Sequence, residues 1–166
     1  MRPGDASPAS TGVAGLLIDT NLLVLFIVGS VNRNRIEHFK RTRQYSKHDF
    51  DLLLRVIEGI SPLYTVSHVL AEVSNLTDLT GPERLVARQV LKETIPVLCE
   101  PNLPSAQAAQ DRLYEGHGLV DAAIAAVARE HKCAVLTDDL DLYRALSREE
   151  MPVYNFTHIR EREWGV

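Results

Sequence analysis

Residues 16–29, LLIDTNLLVLFIVG, constrain this chain more than any other stretch. The run is too apolar to lie on a surface, yet Asp19, Thr20 and Asn21 cut it in two. A membrane helix needs about 20 consecutive apolar residues, and residues 22–28 offer far fewer. A secretory leader needs a basic start and a small-residue cleavage site. Here a Pro/Gly/Ser/Ala stretch precedes the run, with only Arg2 for charge. The expectation is therefore a flexible tail over residues 1–14 and one domain over 15–166. Residues 13–18 read as a strand buried on both faces, because polar alternation is missing. That strand ends on Asp19, and residues 22–28 open a helix.

Further along, apolar runs alternate with helix-period stretches, the pattern of βαβ units. Helices are expected over residues 49–58, with Gly59 as the stop, and from Ser67, as cap, to Leu79. Another starts at Pro82 and runs to Glu93. Residues 105–114 and 140–146 also read as helical. The stretch after Gly118, LVDAAIAAVARE, is apolar nearly all round and so reads as a buried helix. LYTV after Pro62, CAVLT at 133–137 and residues 152–156 read as strands, and residues 96–98 as extended. Strands separated by helices favour parallel pairing in an α/β fold. In open parallel sheets the ligand site lies beyond the carboxyl ends of the strands.

That rule gathers acids that are far apart in sequence. Asp19 follows the first strand, and Asp138, Asp139 and Asp141 follow the third. Glu72 and Asp121 lie near the starts of helices that begin at the same edge. Each has a bland alternative: Asp19 as a helix cap, Glu72 as a surface residue, Asp121 as a helix-dipole acid, the TDDLD run as a capped turn. Together they make a group that repels itself unless cations relieve it. Hard oxygen donors suit Mg²⁺ or Mn²⁺, ions that activate water and neutralise charge on a phosphodiester.

Four segments resemble the motifs of PIN domains. LLIDTNLLV is similar to their opening strand and Asp, and SHVLAEVSNL to the helix bearing a Glu. GLVDAAIAAVA is similar to the third motif, and AVLTDDLDL to the fourth, a strand ending in Thr-x-Asp-x-Asp. The resemblance implies a three-layer α/β/α sandwich with a central parallel sheet and Mg²⁺- or Mn²⁺-dependent ribonuclease activity on RNA. Carried over, Asp19, Glu72, Asp121 and Asp139 become metal ligands and Asp141 an auxiliary acid. Thr137 positions the last motif. Asp138 competes with Asp139 in register. Many small PIN proteins resemble toxins of VapC-type toxin–antitoxin pairs, which makes an antitoxin protein and a homodimer expected partners. The long stretch 29–61 departs from the most compact toxin pattern.

Two other readings compete. A haloacid-dehalogenase-type phosphatase also has a strand ending in Asp, but it needs a second Asp where this chain has Asn21. A module with a silent site would bind RNA or protein without chemistry. No glycine-rich phosphate loop is present, which argues against a nucleotide cofactor. Net charge is −4, yet holding the acidic group on metal would bring the remainder close to balance. Between residues 33 and 47 lie Arg33, Arg35, Lys40, Arg41, Arg43 and Lys47 against Glu37 alone. With Phe39 and Tyr45 among them, they suit phosphate binding and base stacking, or else an ordinary solvated loop. His68, four residues before Glu72, could face the same site but reads as a surface or capping residue, and His117, near Asp121, could contact substrate but reads as a loop residue. Cys99 and Cys133 are too few for a disulfide framework. They read as small core residues, in keeping with a reducing, cytoplasmic setting.

Overall fold

The computed structural model describes residues 13–165, so most of the expected tail lies outside the described residues. Four strands form one all-parallel sheet in the order β2-β1-β3-β4. They are β1 (Leu16–Ile18), β2 (Leu63–Tyr64), β3 (Ala134–Thr137) and β4 (Val153–Asn155). Ile18 stands opposite Leu136, and Thr137 opposite Asn155. From β1 the chain goes to one side for β2, then returns to the other side for β3. The connections therefore diverge at the carboxyl ends of β1 and β3, which opens a crevice there.

The apolar run behaves as its composition dictates. Leu16, Leu17 and Ile18 are all buried, and α1 (Thr20–Val31) is buried on nearly every side. It packs against α2 (Lys47–Ile57), α3 (Ser67–Leu76) and α4 (Pro82–Thr94). A helix without a polar face needs such enclosure. Gly29 admits the Phe50 ring of α2, because a Cβ there would overlap it. A Ser46–Asp49 capping box starts α2 two residues before the expected position. The buried apolar side chains form one continuous cluster. Among the described residues, no helix is long and apolar enough to cross a membrane.

Several local expectations are corrected. Ser67 does not cap α3; it is the first helical residue, and Val66 holds the cap position without a side-chain bond. Residues 95–97 form a 3₁₀ turn, closed by the Leu98 N–H on the Ile95 carbonyl at 3.1 Å, and the extended path expected from residue 96 begins only at Leu98. The helix expected over 105–114 is broken into α5 (Ser105–Ala108) and α6 (Tyr114–His117). Between them the Asp111 carboxylate accepts the Leu113 N–H at 3.0 Å, a local turn that competes with helix. Cys133 is buried, but Cys99 is exposed at the sheet margin. Its backbone pairs with Leu63 and Thr65 beside β2.

The remaining helices are α7 (Leu119–His131), α8 (Leu140–Arg148) and α9 (Phe156–Trp164). Small residues let α7 sit close to its neighbours, with Ala122, Ala123, Ala125 and Ala128 buried. Sequence reasoning missed α9. Its signal was Asn155, whose side chain accepts the His158 N–H at 3.2 Å as a cap.

The basic stretch is also corrected. Ile36, Phe39, Thr42 and Tyr45 recur every third residue, and all four are buried. Successive backbone bonds three residues apart, such as Thr42 to Phe39 and Tyr45 to Thr42, wind the segment into turns with that period. Phe39 and Tyr45 therefore belong to the core and cannot stack on bases.

Candidate active site at the carboxyl edge of the sheet

A cleft of about 290 Å³ opens at the crevice between β1 and β3, and Asp19, Glu72, Asp121 and Asp139 all line it. Four elements deliver them. Asp19 ends β1 and caps α1, Glu72 lies on α3, Asp121 on the first turn of α7, and Asp139 caps α8.

Asp19 is the most enclosed, at 4% exposure. Its Oδ1 accepts the Leu22 N–H at 3.0 Å. Its Oδ2 accepts the Thr137 hydroxyl and, at 3.2 Å, the Asp138 N–H. Burial first, and the nearby Asp138 charge second, push its carboxyl up to about 7, against those hydrogen bonds. Thr137 is fully buried and works in both directions. It donates to Asp19 and accepts the Asp139 N–H at 2.9 Å, tying the end of β1 to the start of α8.

Asp139 uses Oδ1 as a cap, accepting from Asp141 N at 2.8 Å and Leu142 N at 3.0 Å. The capping roles read as bland alternatives for Asp19 and Asp139 are thus real, and they coexist with a place in the cleft. Glu72 accepts the Thr20 hydroxyl at 2.8 Å. Asp121 lies 3.6 Å from His117 Nδ1. Burial pushes its carboxyl up to about 6; Asp139 adds to the rise, His117 opposes it, and Glu72 raises it further.

Two other acids are not brought into the cleft. Asp138 bonds to the Tyr45 hydroxyl through Oδ2 and to Asn21 Nδ2 at 3.3 Å through Oδ1. Asp141 is largely exposed, 3.9 Å from Arg144. His68 shares α3 with Glu72 but turns to Ser105 at 2.9 Å. His117, read as a loop residue, lines the cleft. Sequence reasoning also missed Thr20, although a hydroxyl directly after the strand-end Asp was a visible signal.

The donor set bears on a cation. The cleft offers carboxylates, the polar side chains of Thr20 and Asn21, and one imidazole, and among the described residues no lysine or arginine lines it. Among the described residues, no three His, Cys, Asp or Glu side chains are placed to cage an ion between them. Mg²⁺ is commonly held by one or two carboxylates and keeps several waters. Hard oxygens around a cleft with room for water fit such a hydrated ion, and the raised Asp19 and Asp121 carboxyls would be relieved by it.

The sequence was compared with protein families and with curated proteins. It matches the family model of the PIN domain over residues 16–146, from the start of β1 through most of α8 and across all four cleft acids. No curated protein matches the chain. The chain belongs to the PIN-domain family, whose members are generally nucleases.

Proposed function

We propose that this chain hydrolyses RNA phosphodiester bonds, with Mg²⁺ or Mn²⁺ held by Asp19, Asp121 and Asp139 and with Glu72 beside them. One observation carries the reading: carboxylates from four separate elements line one cleft that, among the described residues, no lysine or arginine enters. A polyanionic strand cannot approach such a cleft unless cations occupy it first. When bound, a divalent ion supplies positive charge at phosphorus and lowers the pKa of water.

The chain's own groups do the rest. Thr137 and two backbone N–H groups fix Asp19, so its position does not depend on the ligand. Thr20 orients Glu72 through Oε2, leaving Oε1 free to take a proton from the attacking water. The water oxygen bonds to phosphorus and the P–O3′ bond breaks. The leaving oxygen takes a proton to become a 3′-hydroxyl, and the other fragment keeps a 5′-phosphate. His117 stands in the cleft lining, from which it would meet the RNA. The phosphatase alternative lacks its second acid: Asn21 holds that place and donates to Asp138.

The test uses purified protein and labelled single-stranded RNA, with Mn²⁺ or with chelator. Cleavage should require Mn²⁺ and fall more than about 100-fold in Asp19→Asn. Asn preserves the cap of α1 but not the acceptor for the Asp138 N–H, so thermal unfolding should stay cooperative at a somewhat lower temperature. Cleavage at the wild-type rate by that variant sinks the assignment.

A further inference from the structure

Tyr45 reaches the carboxyl edge of the sheet from the turns between α1 and α2, and the proposed chemistry does not use it. Its ring is buried at 2% exposure. It lies edge-on to Phe156 at 6.4 Å and under the Arg160 guanidinium at 5.6 Å. Arg160 is itself tied to Asp49 at 2.7 Å. The ring therefore cannot shift without disturbing the core of α2 and α9. A rigid hydroxyl in such a place is a fixed donor, and it is spent on Asp138. Asn21 takes the other oxygen of the same carboxylate.

Asp138 nevertheless borders the cleft. Asn21, its partner, lines the cleft, and the Asp138 backbone N–H bonds to Asp19. Two neighbouring aspartates thus stand at the end of β3, and only one faces the ligand space. We propose that Tyr45 is a positioning residue that selects between them: by holding the Asp138 carboxylate aside, it leaves Asp139 to serve the cleft. The selection rests on the reading that Asp139 is a metal ligand, which it deepens. If Tyr45 were merely a core ring with a satisfied hydroxyl, removing that hydroxyl could only weaken the protein.

Mn²⁺ binding by calorimetry distinguishes these outcomes without recourse to cleavage. Asp139→Asn keeps the cap of α8 and should lose at least about tenfold in Mn²⁺ affinity. Adding Tyr45→Phe frees Asp138, and the double variant should recover most of that loss. Adding Asp138→Asn to the pair should abolish the recovery. A double variant that binds no better than Asp139→Asn overturns the selection while leaving the nuclease reading intact. Wild-type affinity in Asp139→Asn overturns the ligand assignment beneath it. If Tyr45→Phe does not fold, Asp138→Asn alone decides. It should bind Mn²⁺ within about threefold of wild type, and a loss as large as that of Asp139→Asn shows that Asp138 already serves the cleft.

Discussion

Two charged groups invite comparison. The bases of residues 33–47 are neighbours in sequence, whereas the acids Asp19, Glu72, Asp121 and Asp139 are neighbours only in space. Most of the bases are answered by a partner. Arg33 pairs with Asp51, Arg35 with Glu83 at 2.7 Å, Lys40 with Asp78 at 3.6 Å, and Lys47 donates to Asn34 at 2.6 Å. In the cleft, His117 is the only lining side chain among the described residues that can carry positive charge, and burial raises two of the carboxyls. A charge whose partner the fold supplies serves the fold. A charge whose partner the fold withholds points to a ligand.

The comparison can be broken at its structural side first. If residues 33–47 are a core segment wearing a charged outer face, Phe39→Ala should destabilise by about 3–5 kcal/mol in urea unfolding. A loss confined to RNA affinity, with stability intact, would return the segment to substrate binding.

The cleft side predicts an effect with a definite sign. Asp19 and Asp121 stand near 7 and 6 in the folded protein, both raised from 3.8. Between about pH 4 and 7 the folded state then binds more protons than the unfolded chain, so stability falls as pH rises through that window and levels off above it. The melting temperature of metal-free protein should therefore drop from pH 5 to pH 8. The drop should be shallower in Asp121→Asn, and Mn²⁺ should reverse it more at pH 8 than at pH 5. Equal pH slopes in the variant and the wild type count against an unrelieved acidic cleft.

The smallest expected effect comes from the answered charges. Lys40 and Asp78 are both more than half exposed. Lys40→Ala should change stability by less than about 1 kcal/mol. A larger loss would show that these pairs do more than neutralise a surface.

What the sequence made legible follows the same division. Asp19, Glu72, Asp121 and the Asp138–Asp139 pair stood out because each lies at the end of a strand or near the start of a helix whose type is plain from apolar pattern. A parallel sheet then sends strand ends to one edge. What stayed hidden depends on partners brought from elsewhere. The Thr20–Glu72 and Tyr45–Asp138 bonds join residues 52 and 93 positions apart. The Asp111 turn that splits α5 from α6 is local, yet Arg129 from α7 steadies its other oxygen. The buried set Ile36, Phe39, Thr42 and Tyr45 has a period of three, which neither a helix nor a strand template detects. Helix α9 hid because only its cap, and not its apolar content, announced it.

Asp139 spends one oxygen holding the first turn of α8 and leaves the other to the cleft, whereas Asp19 gives one oxygen to the first turn of α1 and the other to Thr137 and the Asp138 N–H. At position 139 asparagine performs the capping duty as well as aspartate does, and it brings no negative charge to the cleft; at position 19 its amide nitrogen would face the Asp138 N–H that the carboxylate accepts. Aspartate and asparagine codons differ by a single base. On the proposed reading, a lineage carrying this architecture stands one mutation at position 139 from a folded, cleavage-silent binder. The same economy makes such a loss invisible to any selection that acts on stability alone.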